Sequence, residues 1–194
     1  MRAQWLIVWL WGAFALCWLL LAQFNKKTNR NVPGLRRIWW LRVPILVVAL
    51  ALAWYRRHGG TGTLRSAGRL LTLHGGVAAQ WTGVGLTVIG IGFAFWARGH
   101  IGRNWGMPMS LRQGHELVTS GPYAYVRHPI YTGIMLAMIG SAMALGLIWL
   151  LLFAVTLTYF IFSARTEERM MVAQFPEAYP AYRRRTKMLI PFVV

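Results

Sequence analysis

Long apolar stretches constrain the fold of this chain more than any other feature of its sequence. A helix needs about 20 apolar residues to cross a bilayer core, and the stretches at 4–24, 38–55 and 77–97 are close to that length. The stretch at 130–163 is too long for one span and breaks naturally near Gly146. We therefore predict an all-α membrane protein with about five transmembrane helices, of which the last two form a helical hairpin.

The composition agrees with the membrane class. Of the 194 residues, 57% are hydrophobic and only 13% are charged, whereas soluble domains average roughly 25% charged residues. The 11 tryptophans suit a protein with two membrane interfaces, since indole rings favour the headgroup level.

We interpret 4–24 as a retained helix, because it lacks a clear small-residue cleavage site. The single cysteine, Cys17, excludes an internal disulfide bond.

The positive charge of the chain predicts its orientation and argues against a nucleic-acid partner. There are 21 lysines and arginines against four acidic residues, and the cations lie in short loops between apolar stretches, as positive-inside bias and anionic headgroups require. We expect the loop at 25–37, the segment at 98–129 and the C-terminus to be cytoplasmic. The arginines of 56–69 then fall on the opposite side. Either the bias is imperfect, the helix count is wrong, or this segment is a short interfacial helix.

Small residues recur four apart in the fourth apolar stretch. Gly133, Ala137 and Ser141 form one set, and Gly140 and Ala144 form a second. Such spacing lets helix backbones approach closely in lipid, where packing drives association. We predict a close-packed helix pair.

The polar segment at 98–129 is too rich in hydrogen-bonding groups for a simple connection. Loops longer than about 12 to 15 residues are usually functional or disordered, and the tryptophan and tyrosines of this one argue against disorder. We therefore expect an ordered, ligand-binding cover. Its candidate polar groups are His100, Arg103, Asn104, His115, Glu116, Tyr123, Tyr125, Arg127 and His128.

His128 precedes Pro129 at the predicted start of the fourth span. Proline fits the first turn of a helix, where its missing N–H costs nothing, so His128 should cap the helix beside free backbone donors. Such a helix start suits an anionic group such as a carboxylate. The alternative is that Arg127 and His128 merely extend to lipid headgroups.

Glu167 and Glu168 make up half of the acidic residues and follow the fifth apolar span directly. They are either salt-bridge partners for nearby arginines or binding groups for a ligand's ammonium. In an antiparallel hairpin the start of the fourth span and the end of the fifth are neighbours. Glu167 and His128 would then face one pocket with opposite charge preferences, which a zwitterionic amino-acid moiety would fit.

Metal and nucleotide motifs are weak in this sequence. The five histidines show no HExxH pattern and no close acidic spacing. There is no Walker loop, and no GxGxxG follows a strand. We therefore predict no metal site.

Three blocks in the second half of the chain resemble the integral-membrane methyltransferases typified by isoprenylcysteine carboxyl methyltransferase, with relatives among phospholipid N-methyltransferases. They are IGRNWG at 101–106, GHELVTSGPYAYVRHPIYTG at 114–133 and EERMMVAQFPEAYPAY at 167–182. The resemblance implies S-adenosylmethionine held near the cytoplasmic surface, and a lipophilic acceptor that enters from the bilayer. The implied cofactor-binding residues are His115, Glu116, Leu117, Val118, Tyr123, His128, Pro129, Ile130, Tyr131 and Glu167.

The resemblance also implies that the two halves of the chain have different roles. We expect one integral-membrane domain over 1–194, with a three-helix scaffold at 1–97 and a methyltransferase core at 98–194. The family's substrate-reading arginine precedes the matched glutamate by four residues, and Ser163 occupies that position here. Arg127 and Arg165 are the remaining candidates for orienting the substrate.

The acceptor and the function class have alternatives. Carboxyl O-methylation is the first expectation from the resemblance, and N-methylation of an amine or S-methylation of a small thiol are the others. A small transporter would need ionisable residues at mid-membrane depth, and the apolar stretches contain almost none. A non-catalytic scaffold with the same fold is the last alternative.

Overall fold

The computed structural model describes residues 3–22, 28–31, 75–102, 105, 110–112 and 116–190. The predicted span at 38–55 and the arginine-rich segment at 56–69 lie outside these residues. Within them the main elements are five α-helices and one short 3₁₀ helix. In chain order they are α1 (Ala3–Ala22), α2 (Val77–Ile101), the 3₁₀ helix (Gly121–Ala124), α3 (Pro129–Leu145), α4 (Ile148–Gln174) and α5 (Ala178–Arg185).

Two short strands, which the sequence analysis did not predict, complete the described elements. Strand β1 (Thr28–Asn31) pairs antiparallel with β2 (Ser110–Arg112), and the register is irregular between Thr28 and Arg30. The pair joins the chain after α1 to the segment after α2.

Three described helices, α1, α2 and α4, are long and apolar enough to cross a membrane. Helix α3 is apolar but has 17 residues, which at 1.5 Å per residue is about 26 Å. The predicted break near Gly146 is confirmed, because α3 ends at Leu145 and α4 begins at Ile148. Gly146 has a φ of 110°, a backbone conformation that favours glycine. The predicted hairpin of the last two apolar helices is therefore present.

Helices α2 and α3 form the closest helix contact in the described structure. A Cβ atom added at Gly90 would lie 2.5 Å from the carbonyl oxygen of Gly133, and one added at Gly140 would lie 2.5 Å from that of Gly83. The predicted close-packed helix pair is confirmed, and α2 is the helix that packs against α3, in a contact that we call the seam. The reason is that α2 brings glycines to the same seam, so that both backbones can approach.

Helix α1 docks on this pair through a buried polar contact. The indole Nε1 of Trp11 donates to Ser141 Oγ at 2.9 Å, and Ser141 Oγ donates to the Ala137 carbonyl at 2.8 Å. Thr87 Oγ1 likewise donates to the Gly83 carbonyl at 2.8 Å. Each hydroxyl therefore satisfies its donor on a helix backbone, as polar groups in an apolar environment must.

Candidate active site

The start of α3 is tied to the end of the chain. Val126 forms a parallel bridge with Lys187. The backbone N–H of Arg127 donates to the Lys187 carbonyl at 2.8 Å, and that of His128 donates to the Met188 carbonyl at 3.1 Å. Residues 186–190, which we call the C-terminal segment, thus lie directly against the residues that begin α3.

His128 caps α3 and Pro129 is its first residue, as predicted. The C-terminal segment accepts the N–H groups of Arg127 and His128, which lie before the first turn of α3. The expectation of free donors concerns the N–H groups that follow His128, and it stays a prediction. Thr132 strengthens the same junction by donating its hydroxyl to the Leu189 carbonyl at 2.5 Å. Anion binding at this helix start therefore depends on side chains more than on these two amides.

Glu167 lies against α3, as the hairpin geometry predicted. Its Oε1 accepts the Tyr131 hydroxyl at 2.6 Å and the Ser163 hydroxyl at 3.0 Å. Its Oε2 lies 3.4 Å from Nδ1 of His128. The carboxylate is 23% exposed, so it is held in place by the protein and is still reachable by a ligand.

His128 lies between two carboxylates. Its Nδ1 faces Glu167, and its Nε2 lies 3.6 Å from Oε1 of Glu168. Burial by itself lowers the pKa of His128, but the carboxylates of Glu167 and Glu168 together raise it by more, so the pKa lies above its usual value. Nε2 is fully buried and makes no hydrogen bond among the described residues. The two carboxylates therefore favour the protonated form of the ring.

Glu168 is a buried ion-pair centre. Nε of Arg127 donates to its Oε1 at 2.6 Å, and Nε of Arg183 lies 3.5 Å from its Oε2. The alternative of a salt-bridge role thus applies to Glu168, whereas Glu167 faces the helix start. Adjacent helical residues point about 100° apart, which is why two neighbouring glutamates meet different partners.

Stacked rings form the apolar side of the site. The His128 ring stacks on Tyr131 with centroids 5.4 Å apart, and Tyr131 stacks on Phe160 at 4.2 Å. Tyr131, Ile130 and Tyr123 belong to one buried apolar cluster with Phe160. The charged groups at the start of α3 are therefore backed by a rigid aromatic wall.

The predicted cofactor loop is described in part. His115 lies outside the described residues, Glu116 is exposed, and Leu117 and Val118 are half-buried. Val118 packs against the apolar cluster that contains Tyr123. The structure thus brings part of this stretch toward the aromatic wall.

Tyr123 lies in the 3₁₀ helix and is buried. Its carbonyl accepts the hydroxyl of Tyr182, from α5, at 2.6 Å. Burial, the largest influence, raises the pKa of Tyr182 to about 12, although Arg127 and a hydrogen bond from Thr186 act in the opposite direction. Tyr182 therefore remains a hydrogen-bond donor at any physiological pH and fixes α5 on the loop.

The two predicted substrate-orienting arginines occupy different environments. Arg127 is 9% exposed, and it donates from Nε to Glu168 and from Nη1 to the carbonyls of Thr186 and Arg183. The alternative that Arg127 and His128 extend to headgroups is wrong, because both side chains are buried in this network. Arg165 is exposed and lines an open cavity on the outer side of Glu168.

Sequence reasoning left Glu168 as either a salt-bridge partner or a ligand-binding group, and it gave no role to Tyr182. The signal for Glu168 was present, since a buried arginine next to the helix start needs a carboxylate and the chain has four acidic residues. Tyr182 had no such signal, because its contact depends on how α5 folds back over the loop.

A family model described as phospholipid methyltransferase matches residues 78–178, which is more than half of the chain. The chain belongs to this family. The match extends from the start of α2 to the start of α5, so it contains the glycine seam and both glutamates. The resemblance stated from the sequence is confirmed.

Curated relatives of this chain include several methyltransferases. The chain is 44% identical over 82 residues to protein-S-isoprenylcysteine O-methyltransferase of Schizosaccharomyces pombe, covering 41% of this chain and 34% of the relative. It is 36% identical over 97 residues to the cobalt-zinc-cadmium resistance protein CzcN of Cupriavidus metallidurans, covering 47% and 43%. It is 38% identical over 71 residues to methanethiol S-methyltransferase of Crocosphaera subtropica, covering 37% and 28%. The chain thus spans less than half the length of each relative.

Proposed function

We propose that this protein transfers a methyl group from S-adenosylmethionine to a lipophilic acceptor that reaches the site from the membrane, on the cytoplasmic side. The observation that carries the proposal is the partly exposed carboxylate of Glu167, held by Tyr131 and Ser163 opposite the ring of His128. Family membership and the methyltransferase names of the relatives support the reaction class.

The groups present fit the cofactor. S-adenosylmethionine carries an ammonium, a carboxylate and a sulfonium, and its ribose has hydroxyl donors. Glu167 can accept from the ammonium or the ribose, and Nδ1 of His128 lies beside its second carboxylate oxygen.

The remaining cofactor contacts come from the resemblance. We propose that His115, Glu116, Leu117 and Val118 cover the cofactor from the loop, with Tyr123 beside them. Pro129 and Ile130 would shape the helix start beneath it.

The protein's part in the reaction is binding, orientation and exclusion of water. When bound, the cofactor supplies an electrophilic methyl group on its sulfonium. Correct placement of two reactants contributes about 7 to 11 kcal/mol to lowering a barrier. Both ring nitrogens of His128 face carboxylates and Glu167 already accepts two hydrogen bonds, so we assign neither group as a base for the acceptor. The acceptor must therefore be a nucleophile without help, such as a thiolate, a carboxylate or a neutral amine.

The surroundings of Ser163 favour an acceptor that lacks a carboxylate. Ser163 occupies the position of the family's substrate-reading arginine, and it is buried and bonded to Glu167 and Tyr131. Arg165 lies two residues further along, which is about 200° around the helix, and it faces away from Glu167. We therefore propose a thiol or an amine on an apolar molecule, with the prenylcysteine carboxylate as the alternative.

An acceptor panel tests this proposal. The protein is placed in nanodiscs of zwitterionic lipid with labelled S-adenosylmethionine and offered a prenylated cysteine, a long-chain alkanethiol or phosphatidylethanolamine. We expect label in the thiol or the amine product and its loss in Glu167→Gln. Glu177→Gln, at an exposed glutamate that begins α5, is the matched control and should retain transfer.

The outcomes separate the two parts of the proposal. Preferred methylation of the prenylated cysteine would overturn the acceptor class and leave methyl transfer intact. No transfer to any acceptor, together with no binding of labelled cofactor by a folded protein, would overturn the function itself.

A further inference from the structure

An open cavity of about 430 Å³ lies on the outer side of Glu168, between the charged end of α4 and the C-terminal segment. Its lining is mostly cationic, and we call it the basic cavity. The cationic residues that line it are Arg127, Arg165, Arg183, Arg184, Arg185 and Lys187. Glu168 is the one acidic lining residue of this cavity.

The cations of the basic cavity outnumber the negative charge that the described residues supply. Glu168 is already engaged by Arg127 and Arg183. In the part of the chain that the structure describes, no carboxylate pairs with Arg165, Arg184 or Arg185. Because like charges in one cavity repel, an anion from outside the chain would stabilise this arrangement.

Helix α4 places the basic cavity at the edge of the membrane. Val155, Phe162 and Arg165 are exposed on one face of α4, at spacings of seven and three residues. The face is apolar up to Phe162 and becomes cationic at Arg165. Arg165 follows Ile148 by 17 residues, which is about 26 Å along the helix and close to the roughly 30 Å of a hydrocarbon core.

This position distinguishes a lipid from a soluble anion. A phosphate in the basic cavity would lie directly beyond the apolar face of α4, so that acyl chains attached to it could continue along Val155 and Phe162. Met188 contributes an apolar group to the cavity wall. A free phosphate would use the cations but gain nothing from the adjoining face.

We propose that the basic cavity binds the phosphate headgroup of an anionic membrane lipid whose acyl chains lie along the exposed face of α4. Glu168 lines this cavity and Glu167 does not, and the proposal does not depend on methyl transfer. The bound lipid would hold α5 and the C-terminal segment at the membrane surface through Arg184 and Arg185.

The test compares lipid binding by matched variants. The full chain in an uncharged detergent is titrated with fluorescent phosphatidic acid and, separately, with fluorescent phosphatidylcholine. The double variant Arg184→Gln/Arg185→Gln removes two cavity cations. Arg169→Gln is the control, because Arg169 is an exposed cation on α4 that does not line the cavity. Circular dichroism and tryptophan fluorescence check that each variant is folded.

We expect saturable binding of phosphatidic acid in preference to phosphatidylcholine. A cation near a membrane surface is worth about 1 kcal/mol toward an anionic lipid, so the double variant should bind at least about tenfold more weakly. Arg169→Gln should change binding by less than about threefold, since it stands outside the cavity.

Three results would overturn the proposal: equal binding of the two lipids, equal losses in the double variant and Arg169→Gln, or displacement of the lipid by inorganic phosphate at comparable concentration. The last result would assign the cavity to a soluble anion. Methyl transfer in zwitterionic nanodiscs is a separate readout, so failure of the lipid site leaves the proposed function standing, and the reverse is also true.

Discussion

Two parts of helix α3 are stabilised in different ways. One is the seam with α2, and the other is the charged cluster at the start of α3. At the seam, Gly90 and Gly133 remove side chains so that two backbones can touch. At the cluster, Glu168 and Arg127 place full charges in a buried site and neutralise them with each other. The contact between α2 and α3 therefore tolerates no added volume, whereas the charged cluster tolerates no unbalanced charge.

The largest loss of stability that we expect comes from removing a carboxylate from the charged cluster. Glu168→Ala leaves the buried Arg127 and His128 without a shared carboxylate, and breaking a buried pair in this way typically costs about 3 to 5 kcal/mol. The free energy of unfolding, measured by reversible denaturation in mixed micelles, should fall by that order. Glu177→Ala, at an exposed position, should change it little. Equal losses in the two variants would show that Glu168 is not an ion-pair centre.

The next effect concerns volume at the seam. A Cβ atom at Gly90 would meet backbone atoms of α3 at 2.5 Å, so Gly90→Ala must push the helices apart, at a cost of about 1 to 3 kcal/mol. Gly92, two residues away in α2, has no atom within 4 Å of such a Cβ. Gly92→Ala should therefore be neutral or slightly stabilising in the same measurement of the free energy of unfolding. If both substitutions behave alike, the seam does not depend on close backbone contact.

A smaller effect distinguishes the contribution of the Tyr131 ring from that of its hydroxyl. Tyr131→Phe keeps the ring stacked between His128 and Phe160 but removes the hydroxyl that donates to Glu167. A hydrogen bond to a charged group is worth about 1.5 to 3 kcal/mol. Since Ser163 still holds Glu167, we expect the lower value as a loss of stability, and cofactor binding weakened by up to roughly tenfold because Glu167 is less firmly oriented. Unchanged affinity would remove Tyr131 from the cofactor site.

The smallest effect that we expect is a dependence of thermal stability on pH. Burial lowers the pKa of His128 in the folded protein, but Glu167 and Glu168 together raise it by more. Its contribution to stability is therefore complete below the unfolded pKa of about 6.5 and is lost as the pH rises through the higher folded value. Thermal stability of the wild type should fall across this window. His128→Gln should flatten the profile, and an unchanged slope would contradict a cationic His128.

Much of the arrangement of the membrane helices could be predicted from the sequence, because the length and polarity of an apolar stretch determine whether it forms such a helix. The ends of α1, the break at Gly146 and the small-residue face of α3 all follow from local pattern. The meeting of Glu167 and His128 was also predictable, since a hairpin places its two ends together. The identity of α2 as the seam partner was not, because many apolar stretches contain glycines and only the packing selects one.

The C-terminal segment shows where sequence reasoning ends. Nothing in the pattern of Lys187, Met188 and Leu189 indicates that their carbonyls accept from the start of α3. That contact uses backbone atoms, which carry no residue signature. It occupies the amides of Arg127 and His128, which lie just before the first turn of α3.

The most direct test of the central claim is calorimetric titration of S-adenosylmethionine into the purified wild type, Glu167→Gln, His128→Gln and Glu177→Gln. We expect one site in the wild type and at least about tenfold weaker binding in the first two variants, since each loses a charged contact. Glu177→Gln should bind as the wild type does. Wild-type affinity in both Glu167→Gln and His128→Gln, with folding intact, would contradict a cofactor site between α3 and α4.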